Sequence, residues 1–540
     1  MVKNSLFDVI LYVINLIKEN AQARGLIMNG AQLIVNAAAA SGIEYCFANP
    51  GTTEIPLVAA MASAPALKPV LSLFEGVCTG AADGYGRIAG KPAMTLTHLG
   101  PGFANGIANL HNARRANTPI VNVIGDHASW HVNYDPPLAS DIQALAGTVS
   151  GWVRTSRTAS AIGEDLQEAV RAAWQAKGQI ASLILPMDLQ AAAVTHNGVF
   201  TRMQAPIRRF AGDRIEAVAQ ALRDGQRLVF IVGDQGLSVA GLEAAGRLAQ
   251  LPGVRLFAET FPRLSYRGGG LPDLDRLPYF PEVAIEILEQ YDKVVCAGVP
   301  EPISYFGYEG IPSRLAERER LLSLAEVGDD VAGALTALAD ALNAPAYVPT
   351  PRGIELPPGE AALTPQSVGQ VLAAALPDDC IVSVEGGTCG YPFFTASASA
   401  ARHRVLTNTG GAIGQGIPVG FGAALAEPGT RVFCLQSDGS AQYTIQTLWS
   451  IAREQLPVVI LIAANHRYAI LQNELRRFGM TELDPQALSL TVLDRPRIDW
   501  KALATGYGVP ARTVHTNAEL QRALANAAAD AGPCLIEMAL

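Results

Sequence analysis

The sequence holds little charge, few aromatic residues and no paired cysteines, and each shortage closes off a class of protein. Charged residues make up 16% of 540 positions and aromatic ones 6%, against 49% hydrophobic residues. That balance excludes a disordered chain and demands extensive burial. Lysine and arginine number 40 against 49 acidic residues, a net charge of −9, so there is no basic excess with which to bind nucleic acid. The seven cysteines are scattered without a CxxC pair. An odd, unpatterned set reads as reduced thiols rather than a disulfide or zinc framework. At this length one core is not enough, and about three domains are expected.

Residues 1–27 superficially imitate a secretory leader, with Lys3, an apolar run from Leu6 to Ile17, and Ala21-Gln22-Ala23. Asp8 and Asn15 interrupt the run, which is too short to span a bilayer, and Leu6, Ile10, Ile14 and Ile17 keep helical spacing. The expectation is an appended amphipathic helix on a cytoplasmic protein with no transmembrane segment. From Met28 onward short apolar strands alternate with alanine-rich helical stretches, the pattern of α/β domains with doubly wound parallel sheets. Strands are predicted at 44–48, 69–74, 93–97, 120–124 and 182–186 in a first domain (28–194). A second domain (205–343) has strands at 228–232, 255–258 and 293–297. Six prolines between 345 and 365 make 344–363 an extended connector. Thr364-Pro365 then starts a third domain (364–540) as an N-cap followed by proline.

Two polar residues stand at one sheet edge of that third domain. Asp438-Gly439-Ser440 follows one apolar strand and Asn465 follows the next, 465 − 438 = 27 residues later, the length of one strand–helix–strand crossover. Both therefore emerge at the carboxyl edge, where open sheets bind ligands. A carboxylate and an amide oxygen beside a glycine suit a hard cation such as Mg²⁺ holding phosphate oxygens, and a helix start near Ser440 offers N–H groups to the anion. The glycine-rich turn Thr409 to Pro418 lacks the GxGxxG order of a dinucleotide site but allows a flat ligand to approach the backbone. In the first domain Glu75 stands alone between an apolar strand and a helix of small residues, placed to share a proton with a base. His98 ends the next strand, ahead of Gly100-Pro101-Gly102. His127 and His131 have metal-compatible spacing but no evident third ligand, so zinc is not expected. Each feature has a bland counterpart: an Asp-Gly turn, a Glu favoured by the helix dipole, a structural histidine.

Together these residues resemble the thiamine diphosphate (ThDP) enzymes of the acetolactate synthase, pyruvate oxidase and benzoylformate decarboxylase group. The resemblance runs from Met28 to Leu540. It is carried by Asn49-Pro50-Gly51, Glu75 through Ala82-Asp83-Gly84-Tyr85, Gly100-Pro101-Gly102, Gly410-Gly411, Asp438-Gly439-Ser440 with Asn465, and Tyr468. It implies that the three domains are pyrimidine-binding, central Rossmann-like and diphosphate-binding. It further implies that Asp438, Asn465 and the Arg467 carbonyl hold Mg²⁺, and that Gly387, Thr388, Gly439 and Ser440 contact the diphosphate. Ile413 would wedge the cofactor into a bent shape and the Gly411 carbonyl would receive its amino group, with Asn49, Pro50, Gly51 and Tyr468 also at the cofactor. Glu75 would exchange a proton with the pyrimidine, and the cofactor would act as electron sink while a 2-oxo acid loses CO₂. In such enzymes Glu75 and the metal site come from different subunits, which implies at least a homodimer, with a homotetramer expected.

This chain also departs from the common pattern. Ser437 replaces the first glycine of Gly-Asp-Gly, Ala464 the first residue of Asn-Asn, and His466-Arg467 a small glycine-containing pair. Thr52 stands where benzoylformate decarboxylases commonly carry a serine that touches substrate carboxylate, and His98 matches one of their active-site histidines. Their second histidine is Leu277 here, and Gly100-Pro101-Gly102 is synthase-like. Ile470, Leu471 and Glu474 are expected to help shape the substrate pocket. The resemblance thus implies a Mg²⁺- and ThDP-dependent, non-oxidative 2-oxo acid decarboxylase with carboligase side activity and no FAD. The alternatives are an acetolactate-synthase-like carboligase and a non-catalytic binder with the ThDP fold, the latter opposed by the intact Glu75.

Overall fold

The computed structural model describes residues 26–540 except positions 176, 197, 351, 352, 481 and 483, so the helix expected within 1–25 lies outside the described residues. Leu26 and Ile27, read from sequence as part of that extension, open a strand instead. Leu26–Asn29 pairs antiparallel with Ala193–His196 and ties the two ends of the first unit together.

Three larger sheets organise the molecule. The first has six parallel strands in the order Lys68–Leu71, Tyr45–Asn49, Ala93–Thr97, Ile120–Asp126, Ile180–Pro186, Trp152–Thr155. The second has four, in the order Val254–Ala258, Leu228–Val232, Lys293–Ala297, Leu321–Ala325. The third has seven, in the order Ser265–Arg267, His403–Thr407, Cys380–Glu385, Val432–Ser437, Val458–Ala464, Cys534–Ala539, Ala511–Val514. Strands covered by helices on both faces are continuous apolar runs, and every residue of Val458–Ala464 is buried. Thr364 caps the helix Pro365–Ala375 through a bond from the Ser367 N–H, as Thr-Pro at its start foretold.

One strand departs from three self-contained parallel sheets. Ser265–Arg267 comes from the segment of the second sheet yet pairs antiparallel with His403–Thr407 on the edge of the third. Arg267 locks it there, donating to Ser397 Oγ, to the Phe394 carbonyl and to Asp273, with its guanidinium 3.6 Å from the Phe394 ring centre.

The first and third units share one hydrophobic core. Helix Glu75–Ala89 packs against helix Gly416–Ala426 at close range, because a Cβ on Gly84 would run into the Val419 backbone and one on Gly422 into that of Ala81. Phe47 and Phe421 meet edge to face across the same seam, 6.0 Å between ring centres. Six of the seven cysteines are buried and all are free; burial pushes the Cys46, Cys380 and Cys389 thiols up to about 12, which makes them inert. No helix among the described residues is long and apolar enough to cross a membrane.

Candidate active site

The carboxyl edge of the six-stranded sheet gathers the polar residues expected in the first domain. Glu75 is the first residue of its helix and is buried. Its Oε1 accepts from Asn49 Nδ2 at 3.1 Å and its Oε2 from Asn105 Nδ2 at 3.0 Å. His98 stands beside it across Gly102, where an added Cβ would lie 2.9 Å from Glu75 Oε1 and 3.2 Å from the His98 Cβ. The imidazole is held from the Asn49-Pro50-Gly51 turn, and a Cβ on Gly51 would collide with its ring. A residue that sequence reading missed does the holding. Glu54, fully buried, places Oε2 2.8 Å from His98 Nδ1 and accepts from the Gly51 N–H at 2.7 Å and Thr53 Oγ1 at 2.5 Å. Thr53 Oγ1 also lies 3.2 Å from His98 Nδ1, whereas Thr52 is exposed at the start of the same 3₁₀ turn.

At the corresponding edge of the seven-stranded sheet lies Asp438-Gly439-Ser440. Asp438 is 1% exposed, and its carboxylate accepts from the Gly439 N–H at 2.8 Å and the His466 N–H at 2.6 Å. Burial pushes this carboxyl upward, and among the described residues no lysine or arginine forms an ion pair with it. A buried carboxylate without a countercharge is costly unless a cation completes it. His466 reaches Asp438 from a left-handed conformation, φ +54°, at the position where the resemblance expects a glycine-containing pair. Asn465 Nδ2 donates to Thr388 Oγ1 at 3.3 Å, which brings Gly387 and Thr388, the first turn of helix Gly387–Ser397, to the same spot. Gly439 lies under the Tyr468 ring, and a Cβ there would strike it. The Ser440 hydroxyl is engaged with Gln436 and the Ser437 carbonyl. Arg467 is exposed, its N–H on Asn465 Oδ1 at 3.1 Å.

The residues fit a diphosphate with a hard cation. They supply a carboxylate and an amide oxygen, glycines that leave room, and a helix start with free N–H groups. Among the described residues no cluster of three His, Cys, Asp or Glu forms, so such a cation would take its remaining ligands from backbone carbonyl and phosphate oxygens. The same finding leaves His127 and His131 without a third partner, their rings 5.8 Å apart.

Gly411 and Ile413 sit on the loop between His403–Thr407 and Gly416–Ala426, at the rim of the same sheet, with Ile413 38% exposed. A second missed residue supports them from below. Glu385, buried and with its carboxyl pushed up by desolvation, accepts from the Gly414 N–H at 2.6 Å and the Gly416 N–H at 2.5 Å. Ile470 and Leu471 lie exposed on helix Ala469–Arg477, while Glu474, on the same helix, is half-buried 3.7 Å from Arg477. Leu277 belongs to the core of the four-stranded unit, packed with Ile231, Phe257 and Leu288, and shows only an edge to a cavity of about 620 Å³ that Gly411 also lines.

No hydrogen bond or ion pair among the described residues joins Glu75 or His98 to Gly411, Ile413, Asp438 or Asn465. Along helix Leu99–Arg115, Asn105 bonds Glu75 while Asn112 bonds the Ala412 carbonyl, seven residues and roughly 10 Å further on.

Comparison with known proteins finds two family matches within the chain. Residues 28–146 match the thiamine pyrophosphate enzyme N-terminal TPP binding domain, and residues 388–538 the C-terminal TPP binding domain. A Mycobacterium tuberculosis protein named "Putative acetolactate synthase large subunit IlvX" is 47% identical, over 95% of this chain and 99% of its own length. The benzoylformate decarboxylase of Pseudomonas aeruginosa is 29% identical over 92% and 96%. In fold the chain matches the ThDP-dependent 4-hydroxybenzoylformate decarboxylase of Rhodococcus jostii with a TM-score of 0.83, at 23% identity, over 95% of this chain and 99% of that one. The chain belongs to the thiamine diphosphate-dependent enzymes, in the family that includes the benzoylformate decarboxylases and the acetolactate synthase large subunits.

Proposed function

We propose that the protein is a Mg²⁺- and ThDP-dependent decarboxylase of a small 2-oxo acid, working as a homodimer or dimer of dimers. The observation that carries this reading is that Glu75 and His98 flank Gly102 together, with no hydrogen bond among the described residues linking either to Asp438, Asn465 or Gly411 of the same chain. Two copies facing each other bring the acid half of one against the diphosphate half of the other. Asp438 and Asn465 would hold the cation, Gly387, Thr388 and Gly439 the diphosphate, and Gly411 with Ile413 the pyrimidine end. When bound, ThDP supplies the electron sink that lets a 2-oxo acid lose CO₂. Glu75 holds or releases a proton at its Oε1–Oε2 edge, steadied by Asn49 and Asn105. His98, fixed at Nδ1 by Glu54 and Thr53, presents its Nε2 edge as a second proton carrier. Thr52 lies exposed nearby, available to a substrate carboxylate.

The deciding experiment is a screen of aliphatic and aromatic 2-oxo acids with ThDP and Mg²⁺, scored for CO₂ and for product identity. Release of CO₂ and a free aldehyde supports the decarboxylase; no CO₂ from any acid sinks it. A 2-hydroxy-3-oxo acid or 2-hydroxy ketone as main product favours the carboligase, the reading that the 47% identical relative's name suggests. ThDP binding with neither CO₂ nor a ligation product from any acid would point to a non-catalytic ThDP-fold binder.

A further inference from the structure

The site described above leaves unused a fully buried ion pair. Asp83 and Arg87 stand one turn apart on helix Glu75–Ala89, neither side chain exposed. Arg87 Nε donates to Asp83 Oδ1 at 2.8 Å, and Nη2 donates to Oδ2. Burying two charges is costly unless good geometry and additional hydrogen bonds offset the desolvation, and an apolar pair of similar volume would fill the space more cheaply. What the additional bonds hold is therefore informative. Arg87 donates from Nη1 to the Thr407 carbonyl at 2.8 Å and from Nη2 to Thr409 Oγ1 at 3.2 Å. Asp83 Oδ2 accepts from Gln415 Nε2 at 3.0 Å. The other two bonds go to the Arg263 carbonyl and to Thr118.

Thr407 and Gln415 are the two ends of the loop that carries Gly411 and Ile413. The pair grips both ends, and the middle is held from the same side. Thr409 Oγ1 donates to the Asn112 carbonyl at 2.8 Å. His111 Nε2 lies 3.1 Å from the Gly410 carbonyl, and the Asn112 side chain bonds Ala412 at both carbonyl (2.8 Å) and N–H (3.1 Å). Simple adhesion between the two units needs none of this, because helix Glu75–Ala89 already packs on Gly416–Ala426 through glycine contacts and an apolar core. A planar fork that fixes two points of a glycine-rich loop supplies registry instead.

We propose that Asp83 and Arg87 are positioning residues for the cofactor: by bracing Thr407–Gln415 from the acid-bearing unit, they set the Gly411 carbonyl and the Ile413 side chain for ThDP bound in the same chain's diphosphate half. The same helix presents Glu75 at its other end, eight residues and roughly 12 Å away. It thus carries the acid of one site and the brace of the next, an inference that rests on the two-chain reading above.

Two full-length variants test it. Arg87→Lys keeps the charge and loses the fork, and Thr409→Val removes only the hydroxyl that links Arg87 to Asn112. ThDP affinity with Mg²⁺ by titration calorimetry, near-ultraviolet circular dichroism of the bound cofactor, and the thermal midpoint of cofactor-free protein are compared with the parent. The expected result is an affinity loss of about ten-fold or more in Arg87→Lys and a smaller loss in Thr409→Val, each with an altered dichroism of the bound cofactor. The cofactor-free midpoint of Thr409→Val should stay close to parental, and this variant carries the test if Arg87→Lys folds poorly. Parental affinity and dichroism in the variants, with only the midpoint lowered, would reduce the pair to interdomain packing. A parent that binds no ThDP overturns the two-chain reading as well; variants that bind as tightly as a binding parent overturn this inference alone.

Discussion

Gly102 has no side chain where one would separate the two groups that must act together. Alanine there should favour the helix by about 1 kcal/mol over glycine. Its methyl, however, would lie 2.9 Å from Glu75 Oε1 and 3.2 Å from the His98 Cβ. Since Glu75 can swing aside at little cost in stability, Gly102→Ala should keep or raise the thermal midpoint while CO₂ release falls by about ten-fold or more; unchanged turnover would disconnect this glycine from catalysis. A second residue sets an acid limit on stability. His403 is fully buried beside Phe393, with Nδ1 on the Ala401 carbonyl and Nε2 without a partner, and burial pushes it down to about 4. The unfolded imidazole takes up its proton near 6.5 and the folded one only near 4. Stability is therefore lost as pH falls from about 6.5 to 4, by ~3 kcal/mol from this group. Denaturant midpoints of parent and His403→Phe should diverge across that window, the variant losing less; parallel curves would refute the assignment.

At the scale of elements, the turn after Val458–Ala464 shows how backbone conformation serves chemistry. His466 adopts φ +54° so that its N–H meets Asp438, a conformation glycine accepts freely and a β-branched residue resists. His466→Val should weaken Mg²⁺-dependent ThDP retention by about ten-fold, whereas His466→Gly should preserve it, as equilibrium dialysis would record. Strands buried on both faces were legible in the sequence because their apolar runs are continuous. Trp152–Thr155 and Leu321–Ala325 were not, since these edge strands are only partly covered and mix polar with apolar residues. The crossover spacing of Asp438 and Asn465 announced a sheet-edge site from sequence. Glu54's hold on His98, Glu385 and the bracing role of the Asp83–Arg87 pair stayed hidden because the partners concerned lie far along the chain; Arg87 and Thr407 are 320 residues apart. Nor could the sequence say which of two adjacent threonines in a 3₁₀ turn faces His98; Thr53 does and Thr52 is exposed.

At the scale of the whole molecule, a site divided between two copies makes a quantitative prediction about mixtures. Glu75→Gln damages only the acid half and Asp438→Asn only the cation half. A dimer containing one of each keeps one site with both intact halves and one with neither. Random pairing of the two inactive variants should therefore restore about a quarter of parental activity. Recovery near zero after co-expression, with dimers verified by mass, would return both halves to a single chain. The strand Ser265–Arg267 carries a different consequence. Because it completes the third sheet from the segment of the second, the proline-rich 344–363 stretch is not the only thing joining those units. A protease that nicked this connector would produce two fragments that co-migrate under native conditions and separate only when denatured. The central unit is thus stitched into its neighbour rather than hung beside it, and it could not be exchanged as a cassette without taking an edge of the cofactor-bearing sheet with it.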